Sequence, residues 1–299
     1  MMSPPTDVRE TRHFFTVDVE EYFHVSAFES VIPREQWNRW PRRLDRSVPV
    51  LLEELERAGA RATFFVLGWV AEHSPDIVRE IVRSGHEIAS HGFWHRRVHT
   101  MSPSAFSDDL RASKAALEDL IGAPVSGYRA PSFSIIPGCE WAFDVLLEQG
   151  FRYDSSLFPI RRRGYGYPNA PRRPHTITRT GGVLEEFPLA TTSIAGLTIP
   201  AAGGGYLRQL PFSLVRGTFA RASRQGVPAT FYIHPWEIDA EQPRVPVGPL
   251  TRIRHYRGLS RTLGRLQALL AEFRFRSIGS YLNEMGQPTS GHAFPTAQP

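Results

Sequence analysis

A mostly parallel α/β fold in a single domain is what this sequence predicts, and three observations carry the prediction. Short apolar runs alternate with helical patterns along most of the chain, the alternation that builds a parallel sheet, closed or open. The residues with chemical potential stand at the C-terminal ends of those runs: Asp18 and Glu20, His91 and His95, Arg129, Asp154 and His234. Parallel α/β folds gather their sites along that edge. Finally, 299 residues of which 41% are hydrophobic can bury a large core and lie within the range of one α/β barrel.

Each element follows from its local pattern. HFFTVDV (13–19) reads as a strand, VPVLLEELERAG (48–59) as a helix stopped by Gly59, and ATFFVLG (62–68) as a second strand. A punctuated helix comes next, with Ser74 at its cap, Pro75 in first position, Ile77, Val78, Ile81 and Val82 on one face, and Gly85 at its end. HEIASH (86–91) is the third strand. After Ser102 and Pro103 a longer helix puts Phe106, Leu110, Leu117, Leu120 and Ile121 on one side and stops at Gly122. VSGYRAP (125–131), FRYDSS (151–156), VLEEFPL (183–189), ATFYIH (229–234) and FRFRSI (273–278) are further strands, with CEWAFDVLLEQG (139–150) among the helices between them.

The ends and the charge narrow the class. MMSPPTDVRETRHFF has no apolar leader, and no run reaches the roughly 18–20 apolar residues of a membrane span, so the expectation is a soluble, cytoplasmic protein. Residues 1–12 and the Pro-, Gly- and Thr-rich tail 285–299 are expected to be disordered, leaving 13–284 as the catalytic domain. The net charge is +5, but Lys114 is the single lysine among 35 basic residues. Such an arginine excess points to compositional bias, and the runs Arg161 to Arg163 and Arg172 to Arg173 read as solvated loops rather than a nucleic-acid surface. Cys139 stands alone, which excludes an internal disulfide framework and a cysteine zinc cluster.

SHGFWH (90–95) sets two histidines four apart, a spacing that on a helical turn brings both imidazoles to one ion. A carboxylate from elsewhere would complete a site with open positions. TVDVEEYFH (16–24) can supply it: in a strand, Asp18 and Glu20 share a face and Val19 and Glu21 turn away. Alternatively Glu20 and Glu21 are surface charges. Asp18, inside an apolar run, needs a partner or a function. In YRAPSF (128–133), Arg129 can hold such a carboxylate ionised, and amides after Pro131 can face an oxyanion. His234 ends an apolar run as a proton donor or as a satisfied core histidine. Tyr22, Phe23, Phe93, Trp94, Phe133 and Trp236 adjoin these motifs and either stack on sugar rings or pack the barrel mouth. The loop AAGGGYLRQLP (201–211) lets backbone approach something closely, either substrate or a neighbouring turn.

Taken in order, TVDVEEYFHV, SHGFWH, YRAPSF, YDSSLFP, GGGYLR and FYIHPWE resemble the polysaccharide deacetylases of carbohydrate esterase family 4, the NodB-homology group, in the subgroup found beside exopolysaccharide export genes. The resemblance covers about Phe14 to Ile278. It implies a distorted (β/α) barrel of about seven strands and a divalent metal, Zn²⁺ foremost, held by two histidines and an acid. Carried onto this chain, it makes Asp18 the general base, His91 and His95 metal ligands, Arg129 the group that orients Asp18, the Ser132 amide an oxyanion donor and His234 the acid for the leaving amine. It also places Asp154 and Trp236 on the substrate side. The family's second aspartate is replaced by Val19, which favours Glu20 as the third ligand, and YDSS lacks the family's Asp-Trp ending beside Asp154.

The implied reaction is hydrolysis of N-acetyl groups on N-acetylhexosamine units of a polysaccharide, an oligosaccharide or a precursor. Val19 keeps open an allantoinase-like or imidase-like hydrolase of a small carbon–nitrogen substrate that dispenses with metal. A third class, a carbohydrate-binding protein with a degenerate site, is opposed by the joint presence of Asp18, His91, His95, Arg129 and His234.

Overall fold

The computed structural model describes residues 10–162 and 164–286. Arg163 of the first arginine run, and most of the two ends expected to be disordered, lie outside the described residues. At their inner edges β1 already begins at Arg12 and the last helix runs to Met285.

The strands are β1 (Arg12–Val19), β2 (Thr63–Val66), β3 (Glu87–Ser90), β4 (Gly127–Tyr128), β5 (Tyr153–Asp154), β6 (His175–Arg179), β7 (Gly182–Glu186), β8 (Thr191–Ile194), β9 (Leu197–Pro200), β10 (Thr230–Ile233) and β11 (Arg274–Arg276). The main sheet runs β10-β1-β2-β3-β4-β5-β7-β6, with β11 beside the start of β1. Every pairing in it is parallel except β6 with β7. The chain after β7 closes the circle: the Leu189 amide donates to Leu157 O (3.0 Å), the Ala190 amide to Thr230 O (3.1 Å), and Leu189 bridges Thr230 of β10. A distorted α/β barrel results. The β8–β9 hairpin is an excursion from that wall, which resumes where the Tyr232 amide donates to Ala202 O (2.8 Å).

Helices fill the crossovers where the sequence puts their signals. Leu44–Arg57 joins β1 to β2, Pro75–Arg83 leads into β3, and Pro103–Ile121 into β4. Ser102 caps the last of these by accepting from the Ala105 amide (3.2 Å), and Gly122 closes it in the left-handed region. Ser74 occupies its expected cap position, but its side chain makes no capping bond. The first helix starts four residues earlier than its apolar pattern and holds Pro49 within it. The antiparallel β6 and the β8–β9 hairpin were not expected from the sequence; their exposed, mixed-polarity residues lack the apolar runs that mark the barrel strands.

Strand alternation divides the core in two. Phe15, Val17 and Val19 face the helices in the main core, whereas Phe14 joins Phe65, Ala89, Tyr153 and Phe187 from the other strands in a separate inner cluster, with Ile278 packed against it. Thr16 and Asp18 continue the inner face of β1 beyond Phe14. The barrel interior therefore passes from an aromatic floor to a polar mouth.

Gly203 explains the glycine-rich loop. A Cβ there would come within 1.9 Å of Tyr232 O, and its φ is +128°. The close approach is to β10, so this glycine serves barrel closure.

Candidate active site

Asp18 leaves the inner face of β1 almost fully buried, and Arg129 meets it there. Arg129 Nη1 donates to Asp18 Oδ1 (2.7 Å) and to Thr16 Oγ1 (2.7 Å), while its Nε and Nη2 donate to Ser155 O (2.9 Å) and Ser155 Oγ (2.7 Å). The guanidinium lies 4.2 Å above the Phe65 ring, on the aromatic floor. Every direction in which Arg129 could swing is thus occupied. A fully buried pair with these extra hydrogen bonds keeps Asp18 in one orientation.

Strand geometry alone does not deliver Glu20. β1 ends at Val19, and the Glu20 amide donates back to Asp18 O (3.1 Å), closing a tight turn. Glu20 is nevertheless buried beside the two histidines, and Val19 packs in the main core. Glu21 turns away as expected, but it is no surface charge. It is buried and accepts from the Arg43 amide at both carboxylate oxygens (2.8 and 2.9 Å) and from Leu44 N (3.2 Å), at the start of the first long helix.

His91 and His95 do come together, with ring centroids 5.5 Å apart, though not on a helical turn. The loop after β3 is irregular: Gly92 has φ +73° and His95 φ +50°. Asp109, from the helix leading to β4, holds this loop by accepting from Phe93 N (2.8 Å) and Trp94 N (3.3 Å). A Cβ at residue 92 would meet Asp109 Oδ2 at 2.8 Å. His91 Nδ1–H donates to Arg129 O (2.8 Å), which leaves Nε2 with the free lone pair. Burial lowers the His91 pKa to about 4, so the ring is neutral at physiological pH.

The ligand atoms of Glu20, His91 and His95 all lie within 4.8 Å of one another. Glu20 Oε2 lies 2.7 Å from His95 Nε2, yet this buried oxygen receives no hydrogen bond of good geometry. The two atoms stand as neighbouring ligands rather than as donor and acceptor. Burial would raise the Glu20 carboxyl, but the charges of His95 and His234 outweigh it and hold Glu20 well below its ordinary range. A deprotonated carboxylate with an orphan oxygen and two imidazoles is a donor set that fits a divalent cation.

His234 ends β10 across from this group, its Nε2 3.3 Å from Glu20 Oε1 and 3.8 Å from Asp18 Oδ2. Its Nδ1–H donates to Glu237 Oε2 (2.9 Å), and Glu237 Oε1 accepts from Arg208 Nε (2.7 Å). Burial would lower the His234 pKa, but Glu20, Glu237 and Asp18 raise it to about 9, so the ring is a charged acid at neutral pH. Burial likewise disfavours ionised Glu237, and Arg208 with His234 reverse that, bringing it to about 2. Trp236 Nε1–H donates to Glu20 Oε1 (3.2 Å), and the indole stacks between the His234 and His255 rings. Sequence reasoning missed Glu237 and Arg208. The signal for Glu237 was an acid three residues after His234 with Pro235 between them, a capping box in the structure.

Ser132 sits in the turn after β4 with φ +56°, beside Phe133 at φ +52°, two strained residues in succession. The Phe133 amide is taken by Ala130 O (2.9 Å), and Ser132 Oγ meets Ser26 Oγ at 2.9 Å. Asp154 stands apart from the cluster: Ser155 faces Arg129, and Asp154, one residue earlier, turns to the outer face of the wall. Of the six motif aromatics, Trp94 alone is exposed; the others are packed.

Residues 39–136 match the polysaccharide deacetylase family, and residues 155–283 match a domain of unknown function (DUF3473). The chain is 34% identical over 112 residues to a peptidoglycan deacetylase of Helicobacter pylori, covering 37% of this chain and 36% of that one. It is 33% identical over 97 residues to a chitin deacetylase of Colletotrichum lindemuthianum, covering 31% and 39%. Over residues 39–136 the chain carries the polysaccharide deacetylase domain. The matches to these relatives span little more than a third of the relatives' length. Among solved structures, a Mycobacterium smegmatis protein assigned to the polysaccharide deacetylases superposes with a TM-score of 0.63 at 20% identity over 99% of this chain and 98% of that one. Puue allantoinase gives 0.63 at 14% identity over 96% and 94%. These likenesses show the fold, a distorted α/β barrel, alone. The family match itself spans His91, His95 and Arg129, whereas Asp18, Glu20 and His234 lie outside it. The segment that matches the domain of unknown function contributes Ser155, Arg208, His234 and Glu237 to the cluster. Among the described residues, no helix is long and apolar enough to cross a membrane.

Proposed function

We propose that this chain hydrolyses N-acetyl groups from N-acetylhexosamine units of a polysaccharide or its precursor, using a divalent metal, Zn²⁺ foremost, bound by Glu20, His91 and His95. The observation that carries the proposal is one buried cluster in which a fixed carboxylate, a three-atom cation site and a charged imidazole stand side by side. Amide hydrolysis needs those three functions: removal of a proton from the attacking water, stabilisation of the oxyanion, and protonation of a poor leaving amine. When bound, the metal supplies Lewis acidity, polarising the acetyl carbonyl and lowering the pKa of water. Asp18 takes the proton of the attacking water, and Arg129 keeps it oriented and ionised. His234 delivers a proton to the departing nitrogen from Nε2, while Glu237 and Arg208 fix its Nδ1–H. In this reading the Ser132 amide serves as the oxyanion donor, and Trp236, which donates to Glu20, holds that carboxylate.

The deciding experiment measures Zn²⁺ content together with acetate release from N-acetylglucosamine oligomers, with allantoin and simple imides alongside. Metal-dependent acetate release is expected. Turnover of allantoin without metal would move the chain to the small-substrate class that Val19 leaves open.

Glu237→Gln is expected to lower kcat about tenfold to a hundredfold with KM little changed, because the lost charge lowers the His234 pKa, and with it the share of imidazolium ready to protonate the amine, and loosens the ring's orientation. Steady-state kinetics on an N-acetylglucosamine oligomer checks it. A rise in KM alone would assign Glu237 to substrate binding.

A further inference from the structure

Two acids that this reaction leaves unused lie side by side in the barrel wall. Tyr128, Asp154 and Glu186 are register partners across β4, β5 and β7, so their side chains leave the sheet on one face, opposite the face of Arg129 and Ser155. Both carboxyls are fully buried and stand close enough to feel each other directly. The Arg129 charge reaches both, but its donors go to Asp18, Thr16 and Ser155 instead.

The remaining donors are unequal. Asp154 accepts from Ser156 Oγ (2.6 Å) and Ser156 N (3.1 Å). Glu186 Oε1 accepts from Leu157 N (3.0 Å), and its Oε2 has no donor. As two carboxylates the pair would set like charges together in a dry wall with one oxygen unsatisfied. One proton on Glu186, donated to Asp154, removes both costs.

We propose that Asp154 and Glu186 share a single proton, held on Glu186, and that this dyad positions Arg129 for its work on Asp18. The link runs through three consecutive residues. Ser156 Oγ accepts from Ala130 N (2.8 Å) while donating to Asp154, and Glu186 holds the Leu157 amide. Ser155, between the two anchored positions, takes two of the Arg129 donors on the inner face. The dyad thereby fixes from outside the shelf on which Arg129 rests inside. Burial, and then the neighbouring charge of Asp154, push the Glu186 carboxyl well above its ordinary range. The titratable and charged groups facing the pair are Tyr128 and Arg129 from β4 and its turn, and His175, opposite Glu186 on β6, whose pKa burial lowers.

The positioning role rests on the deacetylase reading through Asp18, so the test includes readouts that need no turnover. Infrared spectra of the full chain at neutral pH are expected to show a protonated-carboxyl band that Glu186→Gln removes; an unchanged spectrum overturns the shared proton. The Arg129 Nε–H resonance, assigned with Arg129→Lys, is expected to stay in place in Glu186→Gln, which keeps an N–H toward Asp154 and a carbonyl toward Leu157 N. In Glu186→Ala it is expected to shift. A resonance equal in all three proteins overturns the positioning role, as does a Glu186→Gln shift as large as that of Glu186→Ala.

Two further measurements follow. Wild-type thermal stability is expected to fall as pH rises above the ordinary carboxylate range, since a carboxyl whose folded pKa is raised loses its contribution as it ionises; Glu186→Gln flattens that slope. In acetate release, Glu186→Gln is expected within about twofold of wild type and Glu186→Ala about tenfold lower in kcat at similar KM, as for a misplaced catalytic neighbour. If Glu186→Ala fails to fold, a Glu186→Gln that loses the infrared band while keeping the Arg129 resonance and activity sustains the proposal, and one that loses activity overturns it. Absence of acetate release from every substrate would end the deacetylase reading while the spectral arms still decide the dyad.

Discussion

Asp18→Asn is expected to keep the fold and bind Zn²⁺ as wild type does, yet to lower kcat by about 10³, within the range that removal of a positioned general base costs. The carboxamide is isosteric, and Asp18 is not one of the three clustered ligands, so the cation site should persist. What disappears is the proton acceptor. Arg129 Nη1 can still donate to the amide oxygen, which keeps the inner face packed and limits loss of stability. The measurement is Zn²⁺ stoichiometry and kcat on the same preparation of N-acetylglucosamine oligomer. Loss of metal in Asp18→Asn would make Asp18 a ligand, and near-wild-type kcat would remove it from the chemistry.

Glu20→Ala and Glu21→Ala are expected to fail in opposite ways. Losing Glu20 takes away the anionic member of the cation site, so Zn²⁺ affinity should drop by about tenfold to a hundredfold, with activity partly rescued by excess metal. The fold should change little, because among the described residues the Glu20 side chain has a single hydrogen bond, from Trp236, with His95 and His234 as close neighbours. Glu21→Ala should leave Zn²⁺ affinity near wild type but cost about 1–3 kcal/mol of stability, since the Arg43 and Leu44 amides lose their buried acceptor. Calorimetric Zn²⁺ titration and thermal unfolding of both variants separate the two. Equal Zn²⁺ affinities would end the assignment of Glu20 as ligand; weaker binding in Glu21→Ala would transfer it to Glu21.

The contrast between these neighbours shows where sequence reasoning reaches its limit. Alternation along β1 correctly separated Asp18 from Val19, because an apolar strand with one acid has few ways to be buried. It could not show that Glu21 supports the start of a helix more than twenty residues away, since that role depends on tertiary proximity. The histidine pair was legible from spacing, but the helical reason was mistaken: Gly92 and His95 take left-handed backbone, and Asp109 holds the loop. Barrel strands announced themselves as apolar runs, whereas β6 and the β8–β9 hairpin, half exposed, carried no such pattern. Asp154 looked like a site residue by position, and a single step of the pleat separates it from Ser155, which does face Arg129.

Closure of the wall by β10 has a kinetic consequence. Phe14 pairs with Thr230 and Val17 with Ile233, partners more than two hundred residues apart in sequence. Asp18 and His234 therefore meet only after a very long loop has been drawn shut, and such non-local pairing is slow and late in folding. A growing chain released vectorially would expose the inner face of β1 until β10 emerged. The segment 39–136, which carries the family match, contains neither flank of the cluster. Excised alone it would keep His91 and His95 but lack Asp18 and His234. Assembly of the Asp18–His234 cluster and completion of the barrel are, for this chain, the same event.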